Sequence, residues 1–293
     1  MMIDYEYLSR IRRAVALYTK RKTSNILDGD FHSLHRGRSM EFDDLKEYTY
    51  GDDVHDIDWK SSSRMGTILV RRYMTDRRHN VMFICDRGPG LNGDTTRGEN
   101  KCRLISMTFG TIASLCGRNG ADVAIAYPGD RSATVSLFKS GSDHLERLMY
   151  DYAERGTLES GYSITDTVKE VLDTIHKRMI IFIITDMEGL TGLDEGLVSS
   201  ITREHDLFVI NIDDAFLTGD NVFDNDRSRY ERFFLAHSKR LHDEELRIRT
   251  QIIADTSEIL KRNKAVMCTI SCEEEIIDST ISLFERYRNG NFG

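Results

Sequence analysis

From residue 81 onward, short apolar segments alternate with longer segments of helical periodicity, and this alternation is the feature that most constrains the fold. The clearest case is residues 178–186, RMIIFIITD, where six consecutive residues are apolar. Such a segment is typical of a strand buried on both faces, and strands separated by helices imply a parallel sheet covered on both sides. We therefore predict an α/β fold, with a doubly wound, mostly parallel sheet in three layers.

The periodicity also predicts the individual elements. Strands are predicted at residues 67–73, 81–86, 121–129, 132–138, 178–186, 206–213 and 264–272. Helices are predicted at residues 101–120, 142–153, 165–177, 193–204, 228–262 and 274–288. Residues 5–22 have the pattern of a basic amphipathic helix, in which the apolar residues fall near a 3.6-residue spacing.

Composition and charge exclude several classes of protein. The longest apolar run is far shorter than the ~20 residues that a bilayer-spanning helix needs, so no integral membrane segment is expected. The N-terminus lacks an apolar signal core, and the five cysteines fit reduced thiols, so we expect a cytoplasmic protein. The 40 basic and 48 acidic residues leave a net charge of −8, which argues against a nucleic-acid partner.

Acidic residues end three of the predicted strands, namely Asp86, Asp186 and the pair Asp213 and Asp214. In a doubly wound sheet, ligands bind at the carboxyl ends of the strands. If the strands before Asp86 and Asp186 are neighbours, the two carboxylates lie close together, because adjacent strands are ~4.8 Å apart. Such a pair could attract a hard cation or share a proton, or each carboxylate could cap the loop after its own strand.

The loop over residues 87–100 begins with GPGLNG after Arg87, a G-x-G-x-x-G spelling. In a dinucleotide site these glycines lead directly into a helix, whereas here seven more residues intervene, so the spacing does not favour a nucleotide site. The loop holds four glycines and a single apolar residue, Leu91. We therefore predict a mobile surface loop that a protease would cut near Arg87 or Arg97.

Residues 37–76 carry a long ordered motif, GRSMEFDDLKEYTYGDDVHDIDWKSSSRMGTILVRRYMTD. It closely resembles the signature of the domain-of-unknown-function 58 family. The matching positions are Glu41, Phe42, Leu45, Lys46, Glu47, Tyr48, Gly51, Asp52, Asp53, Ile57, Asp58, Trp59, Lys60, Arg64, Val70 and Arg71. The sequence departs from the family pattern at Lys46, where Arg is usual, and at His55.

The resemblance implies a von Willebrand factor A-like fold, in agreement with the strand and helix pattern. Such folds often carry a metal-ion-dependent adhesion site, built from an Asp-x-Ser-x-Ser loop, a threonine and a second aspartate. Carried over to this sequence, the first aspartate is Asp86 and the second is Asp186. The threonine corresponds to Thr165, with Ser163 as an alternative.

Gly88 and Gly90 stand at the two serine positions of this site. They remove two hydroxyl ligands from a cation that prefers six oxygens. The resemblance therefore implies a degenerate, weak or vestigial site, with Mg²⁺ as the only candidate cofactor.

The resemblance also implies a function. Family members are typically encoded beside MoxR-type AAA+ ATPases, and a role in assembling or activating other protein complexes is inferred for them. We therefore expect a non-enzymatic adaptor that acts with such an ATPase and a client protein. Two alternatives remain open: an Mg²⁺-dependent phosphate-ester hydrolase that uses Asp86 and Asp186, and a peripheral protein that binds anionic surfaces through residues 10–22.

The chain is expected to have two parts. Residues 1–80 would hold the N-terminal helix and the signature segment, packed on the main domain, and residues 81–293 would form the A-like domain. The signature is expected to be mainly structural. Trp59 is the only tryptophan and lies among charged residues, so we expect it to be a buried anchor with a charged rim.

Overall fold

A computed structural model describes residues 9, 42–49, 52, 54, 57–73, 79–155, 162–219, 221–224, 229–232 and 238–292. The chain divides into two compact units, a small one within residues 31–78 and a large one that includes residues 79–293. Apart from Ser9, the helix predicted at residues 5–22 lies outside the described residues, and so does the proposed anionic-surface segment, residues 10–22. No helix among the described residues is long and apolar enough to cross a membrane.

The described elements of the small unit are β1 (Phe42–Glu47), α1 (Trp59–Met65) and β2 (Leu69–Tyr73). The two strands pair antiparallel. Asp58 caps α1, because its carboxylate accepts hydrogen bonds from two backbone N–H groups of the first turn, and Gly66 ends the helix with a left-handed φ of 73°. Ser62 is buried and accepts a hydrogen bond from the backbone N–H of Leu69 at 2.8 Å, which ties α1 to β2.

Trp59 does not fit the prediction of a buried anchor, because its side chain is 68% exposed at the start of α1. Among the described residues, the two strands and α1 leave the indole ring largely in contact with solvent. The buried side chains described in this unit are those of Ile57, Ser62, Leu69 and Val70. Three other large apolar side chains of the unit are also exposed, those of Val54, Met65 and Ile68.

The large unit contains eight described strands and seven described helices. The strands are β3 (Asn80–Cys85), β4 (Asp122–Pro128), β5 (Ala133–Val135), β6 (Ile180–Thr185), β7 (Asp206–Ile212), β8 (Asn221–Asp224), β9 (Arg229–Arg232) and β10 (Val266–Ile270). The helices are α2 (Lys101–Arg118), α3 (Ser142–Arg155), α4 (Ile164–Thr174), α5 (Met187–Leu190), α6 (Glu195–Thr202), α7 (Lys239–Arg262) and α8 (Ile276–Arg288).

Six of the strands form one sheet in the order β10-β7-β6-β3-β4-β5. All neighbours are parallel except β4 and β5, which are antiparallel. The chain starts in the middle of the sheet and builds outward in both directions, which is the strand order of a doubly wound fold. The predicted fold class is therefore confirmed.

Helices cover both faces of the sheet. On one face, α4, α6 and α7 pack over a continuous apolar cluster. On the other face, the rings of Phe83, Phe182 and Phe208 stack across three neighbouring strands, with centroids 4.9 and 5.0 Å apart. Phe284 of α8 adds an edge contact to Phe182 at 5.9 Å. This aromatic stack holds the middle of the sheet together and thereby fixes the positions of the strand ends.

The segment at residues 228–262 was predicted as one helical stretch, and that is wrong at its beginning. Residues 229–232 form β9, which pairs antiparallel with β8, and α7 begins only at Lys239. Across the hairpin, the rings of Phe223 and Tyr230 meet edge to face at 5.1 Å. Cross-strand packing of this kind overrides a weak helical pattern in a charged sequence.

Residues 87–100 are held by tertiary contacts, which contradicts the expectation that little holds this loop. Leu91 is 1% exposed. Arg87 is buried, and its guanidinium donates to two backbone carbonyl oxygens on other elements, at 2.9 and 2.6 Å. Thr95 donates to a carbonyl oxygen just beyond β10 at 2.7 Å. The sequence pattern missed these contacts because their partners lie far along the chain.

Candidate functional site

The predicted site residues come together at the carboxyl edge of the sheet. Asp86 follows β3 and Asp186 follows β6, and these strands are hydrogen-bonded neighbours, as the hypothesis of converging carboxylates required. Both side chains are buried. They line one cleft together with Gly88, Gly90 and Thr165.

Both carboxylate oxygens of Asp86 accept hydrogen bonds from the protein itself. Its Oδ1 accepts from the backbone N–H groups of Arg87 and Gly88, at 2.7 and 3.0 Å, and its Oδ2 accepts from the Thr185 hydroxyl at 2.5 Å. Burial and the nearby charge of Asp186 raise the pKa of Asp86 above its ordinary value, although these hydrogen bonds oppose the shift. Asp86 thus caps the loop after its strand, one of the roles that the sequence had left open.

Asp186 has a cationic partner within the chain. Its Oδ1 accepts from two backbone N–H groups of α5 at 3.1 and 3.3 Å, and its Oδ2 lies 2.8 Å from Nζ of Lys101. The same ammonium donates to Oδ1 of Asp214, whose Oδ2 accepts from the backbone N–H of Met187 at 3.1 Å. One lysine therefore joins the acidic residues that follow β6 and β7.

Lys101 is the first residue of α2, and it is only 4% exposed. The start of a helix is an unfavourable place for a cation, because the helix dipole is positive there. Burial would lower the pKa of this ammonium, but the carboxylates of Asp186 and Asp214 outweigh it and raise that pKa. The side chain is therefore charged at neutral pH.

Sequence reasoning missed Lys101. The one signal available was a lysine at the first position of a helix that follows a strand-end acid and a glycine-rich loop. A lysine there points toward the same sheet edge as the acidic strand ends, but only the strand order shows which of them it reaches.

Two glycines mark close approaches in the cleft. A β carbon at Gly189 would lie 1.8 Å from the Thr185 hydroxyl oxygen and 2.8 Å from Oδ2 of Asp86, so this position excludes any larger residue. A β carbon at Gly90 would lie 3.2 Å from Oδ2 of Asp186 and 3.8 Å from Nζ of Lys101. A side chain at position 90 would therefore stand beside the ammonium.

Thr165 and Ser163 both lie at the beginning of α4 and line the same cleft. Their hydroxyl oxygens are 2.8 Å apart. Ser163 also caps the helix, since its hydroxyl oxygen accepts from the backbone N–H of Asp166 at 3.1 Å. The structure places both candidate hydroxyls at the cleft and does not select one of them as the counterpart of the adhesion-site threonine.

As they stand, the residues at this edge do not fit a divalent cation. The carboxylate oxygens of Asp86 and Asp186 are bonded to backbone N–H groups, a hydroxyl and an ammonium. Mg²⁺ would need an octahedron of six oxygens, to which the two glycines at the serine positions contribute no side chain. Within the described part of the chain, no group of three or more His, Cys, Asp or Glu residues could hold a metal ion.

The signature residues that the structure describes lie in the small unit. Lys46 donates to Oδ1 of Asp52 at 2.6 Å, while Oδ2 of Asp52 accepts from the backbone N–H and hydroxyl of Thr49. These hydrogen bonds, that from Lys46 first, lower the pKa of Asp52 to about 2. They stay within the unit and agree with a structural role for this part of the signature.

The other described signature residues differ in their exposure to solvent. Glu47, Lys60 and Arg64 are exposed, and Tyr48 is half-buried. For Phe42 only the backbone, in β1, is described. Outside the described residues lie Glu41, Gly51 and Asp53.

A second concavity of the large unit, which we call the acidic groove, lies beside the cleft, where the loop after β7 and the hairpin strand β8 approach α7. Its charged lining residues are Asp94, Lys101, Asp186, Glu188, Asp214, Glu244, Glu245 and Arg249. Its apolar lining includes Leu217, Leu241 and Ile248, which are 46%, 45% and 47% exposed. The loops at residues 87–100 and 187–192, which the sequence places at the carboxyl edge of the sheet, contribute to its lining, whereas the contribution of α7 was not predicted.

The sheet order defines a doubly wound α/β domain with buried carboxylates at its strand ends, and a small β unit carries the signature. The family model described as "Protein of unknown function DUF58" matches residues 44–216, more than half of the chain. The protein belongs to this family, and the family predicted from the signature is confirmed.

The chain is also similar to individual proteins. Uncharacterized proteins of Mycobacterium bovis and Mycobacterium tuberculosis are 22% identical over 214 residues, which is 72% of this chain and 66% of theirs. The chain therefore spans about two thirds of the length of these relatives.

Two solved structures are also similar. The conserved hypothetical protein BatB from Bacteroides thetaiotaomicron has a TM-score of 0.45 at 10% identity, covering 72% of this chain and 99% of that one. A von Willebrand factor type A protein from Catenulispora acidiphila has a TM-score of 0.39 at 12% identity, covering 76% of this chain and 44% of that one.

Proposed function

We propose that this protein is a non-enzymatic adaptor, which acts with a MoxR-type AAA+ ATPase in the assembly or activation of other protein complexes. The partner class comes from the family resemblance, and a cytoplasmic location is part of the same proposal. The observation that supports binding is the acidic groove, because it lies at the sheet edge where doubly wound domains bind their ligands.

The apolar lining of the groove supports a protein partner. Leu217, Leu241 and Ile248 leave nearly half of their side-chain surface in contact with water. Exposed apolar surface bordered by polar groups is typical of protein interaction sites, since the apolar area gains free energy only when a partner covers it.

The charge of the groove supports a basic partner segment. Asp186 and Asp214 share the ammonium of Lys101, and Glu245 pairs with Arg249 at 2.8 Å. Six acidic and two basic side chains line the groove, and Glu188 makes no ion pair among the described residues. We therefore expect the ATPase to present a segment in which Lys or Arg side chains flank apolar ones.

The contacts in the cleft speak against the alternative of a phosphate-ester hydrolase. That reaction would need Asp86 and Asp186 to hold Mg²⁺ or to attack the substrate. In the structure, both oxygens of each carboxylate are already hydrogen-bonded within the protein. Catalysis would first require these capping interactions to break.

Binding can be tested by calorimetry with the purified chain and the MoxR-type ATPase of the same genome. Leu241→Asp and Glu188→Lys should each weaken binding about tenfold or more, a loss of ~1.4 kcal/mol. Added salt should weaken binding to the wild type, because the contact includes exposed charges.

Leu137→Asp is the matched control. Leu137 is 73% exposed and does not line the groove, so this variant should bind like the wild type. Equal binding by all variants would reject the groove as the interface. Mg²⁺-dependent hydrolysis of p-nitrophenyl phosphate that is lost in Asp86→Asn would favour the hydrolase instead.

A further inference from the structure

We infer that the ammonium of Lys101 takes the place of the metal ion at this sheet edge. The A-like domain would then hold the carboxylates that follow β6 and β7, those of Asp186 and Asp214, with a cation that is part of its own chain, and it would need no divalent ion there. This inference rests on the contacts of Lys101 with Asp186 and Asp214, which also line the acidic groove, and it does not depend on which protein binds there.

The position of the ammonium is the first support. Its Nζ lies 2.8 Å from Oδ2 of Asp186 and also donates to Asp214, so it bridges acidic residues that follow neighbouring strands. A β carbon at Gly90, one of the two positions where the adhesion-site motif has serine, would lie 3.8 Å from this nitrogen. The ammonium therefore lies beside the β carbon position of the serine that would carry a metal-ligating hydroxyl.

Charge balance is the second support. Buried carboxylates on adjacent strands need a counter-charge, because unpaired charges are costly to remove from water. A buried lysine at the start of a helix likewise needs acids nearby to offset both desolvation and the helix dipole. Lys101 offsets one of the two negative charges of Asp186 and Asp214, and backbone N–H groups of α5 donate to the same carboxylates, so both acids are partnered without an ion from solution.

The glycines at positions 88 and 90 follow from the same arrangement. A lysine ammonium has three N–H donors and needs acceptors, and two carboxylates supply them here. Serine hydroxyls are then not required as ligands. Because Lys101 is only 4% exposed, a carboxylate from a partner protein has no access to it, unlike the open ligand position of a bound metal.

Mn²⁺ binding, followed by electron paramagnetic resonance and by thermal melts, tests the inference. The wild type should bind no Mn²⁺ at these carboxylates, and EDTA should leave its melting temperature unchanged. Lys101→Ala should lower the melting temperature by about 6–20 °C in metal-free buffer, as expected for breaking a buried ion pair.

The same variant should gain an Mn²⁺ site that raises its melting temperature. At 100 times the dissociation constant the increase should be about 5–10 °C. Adding Gly90→Ser to Lys101→Ala should tighten Mn²⁺ binding further, because a hydroxyl ligand returns. Lys169→Ala, which removes an exposed lysine of α4, is the control and should show none of these effects.

A double-mutant cycle keeps the test decisive if Lys101→Ala fails to fold. Lys101→Met should destabilise the wild type more than it destabilises Asp186→Asn, because one of the two carboxylates that Lys101 contacts is then uncharged. Equal losses in both backgrounds would overturn the inference. Mn²⁺ bound by the wild type and released by Asp186→Asn would overturn it as well.

Discussion

The pKa values of aspartates shift in opposite directions in the small unit and at the carboxyl edge of the large unit. In the small unit, hydrogen bonds from Lys46 and Thr49 hold the pKa of the half-buried Asp52 at about 2. At the sheet edge, burial raises the pKa of Asp86 and of Asp214. The small unit carries much of the motif that identifies the family, whereas the sheet edge carries the buried charges that determine what the cleft can bind. A specific sequence motif therefore need not coincide with the site.

The largest expected effect concerns the core that supports the sheet edge. Phe182→Ala removes the middle ring of the stack between Phe83 and Phe208 and should cost ~3–5 kcal/mol of unfolding free energy. Urea melts followed by circular dichroism measure this. A loss below ~1 kcal/mol would mean that the stack does not hold the sheet as described.

Gly189→Ala should have the next largest effect. The new methyl group would overlap the Thr185 hydroxyl, and overpacking of this kind costs ~1–3 kcal/mol. Gly117→Ala is the matched control, because no atom lies within 4 Å of the added carbon and alanine favours the helix. Equal destabilisation by both substitutions would show that the close approach at position 189 is not what matters.

Asp86→Asn tests the raised pKa of this buried carboxyl. The folded pKa exceeds the unfolded value of ~3.9, so the wild type loses stability as the pH rises from about 4 through the folded pKa. The variant has no such loss. The unfolding free energy of the variant should exceed that of the wild type by nothing near pH 3 and by a growing amount toward pH 7, about 1.4 kcal/mol for each unit of pKa shift.

Thermal and urea melts of both proteins between pH 3 and pH 7 provide the measurement. The Thr185 hydroxyl can accept a hydrogen bond from the new amide, so the contact between the two side chains is kept with donor and acceptor exchanged. A variant that is less stable at every pH would show instead that the charge of Asp86 is needed for its capping role.

The smallest effect is expected in the small unit. Because Trp59 is 68% exposed, Trp59→Ala should change the unfolding free energy by no more than ~0.5 kcal/mol. As the only tryptophan, it should also be quenched readily by acrylamide in the native state. A loss of ~3 kcal/mol, together with protection from acrylamide, would show that Trp59 is a buried anchor. The contrast between the small unit and the sheet edge would then not hold.

Much of the fold could be predicted because its signals are local. The apolar run at residues 178–186 contains β6, and the helix predicted at residues 101–120 is observed as Lys101–Arg118. The ends of the apolar runs can also be predicted from the sequence, so Asp86 and Asp186 were placed at the correct edge of the sheet. The hairpin β8–β9 escaped prediction because its pairing depends on cross-strand contacts rather than on periodicity.

The sequence by itself determined the alternation of strands and helices, the family, and the acidic ends of the central strands, because each depends on residues that are near one another in the chain. Only the tertiary structure decided what those acids contact. Lys101 is 85 residues from Asp186 and 113 from Asp214, and the strand order brings the three together. Exposure of Trp59 was likewise decided by the packing around it, because burial is a property of the packed structure and not of a motif.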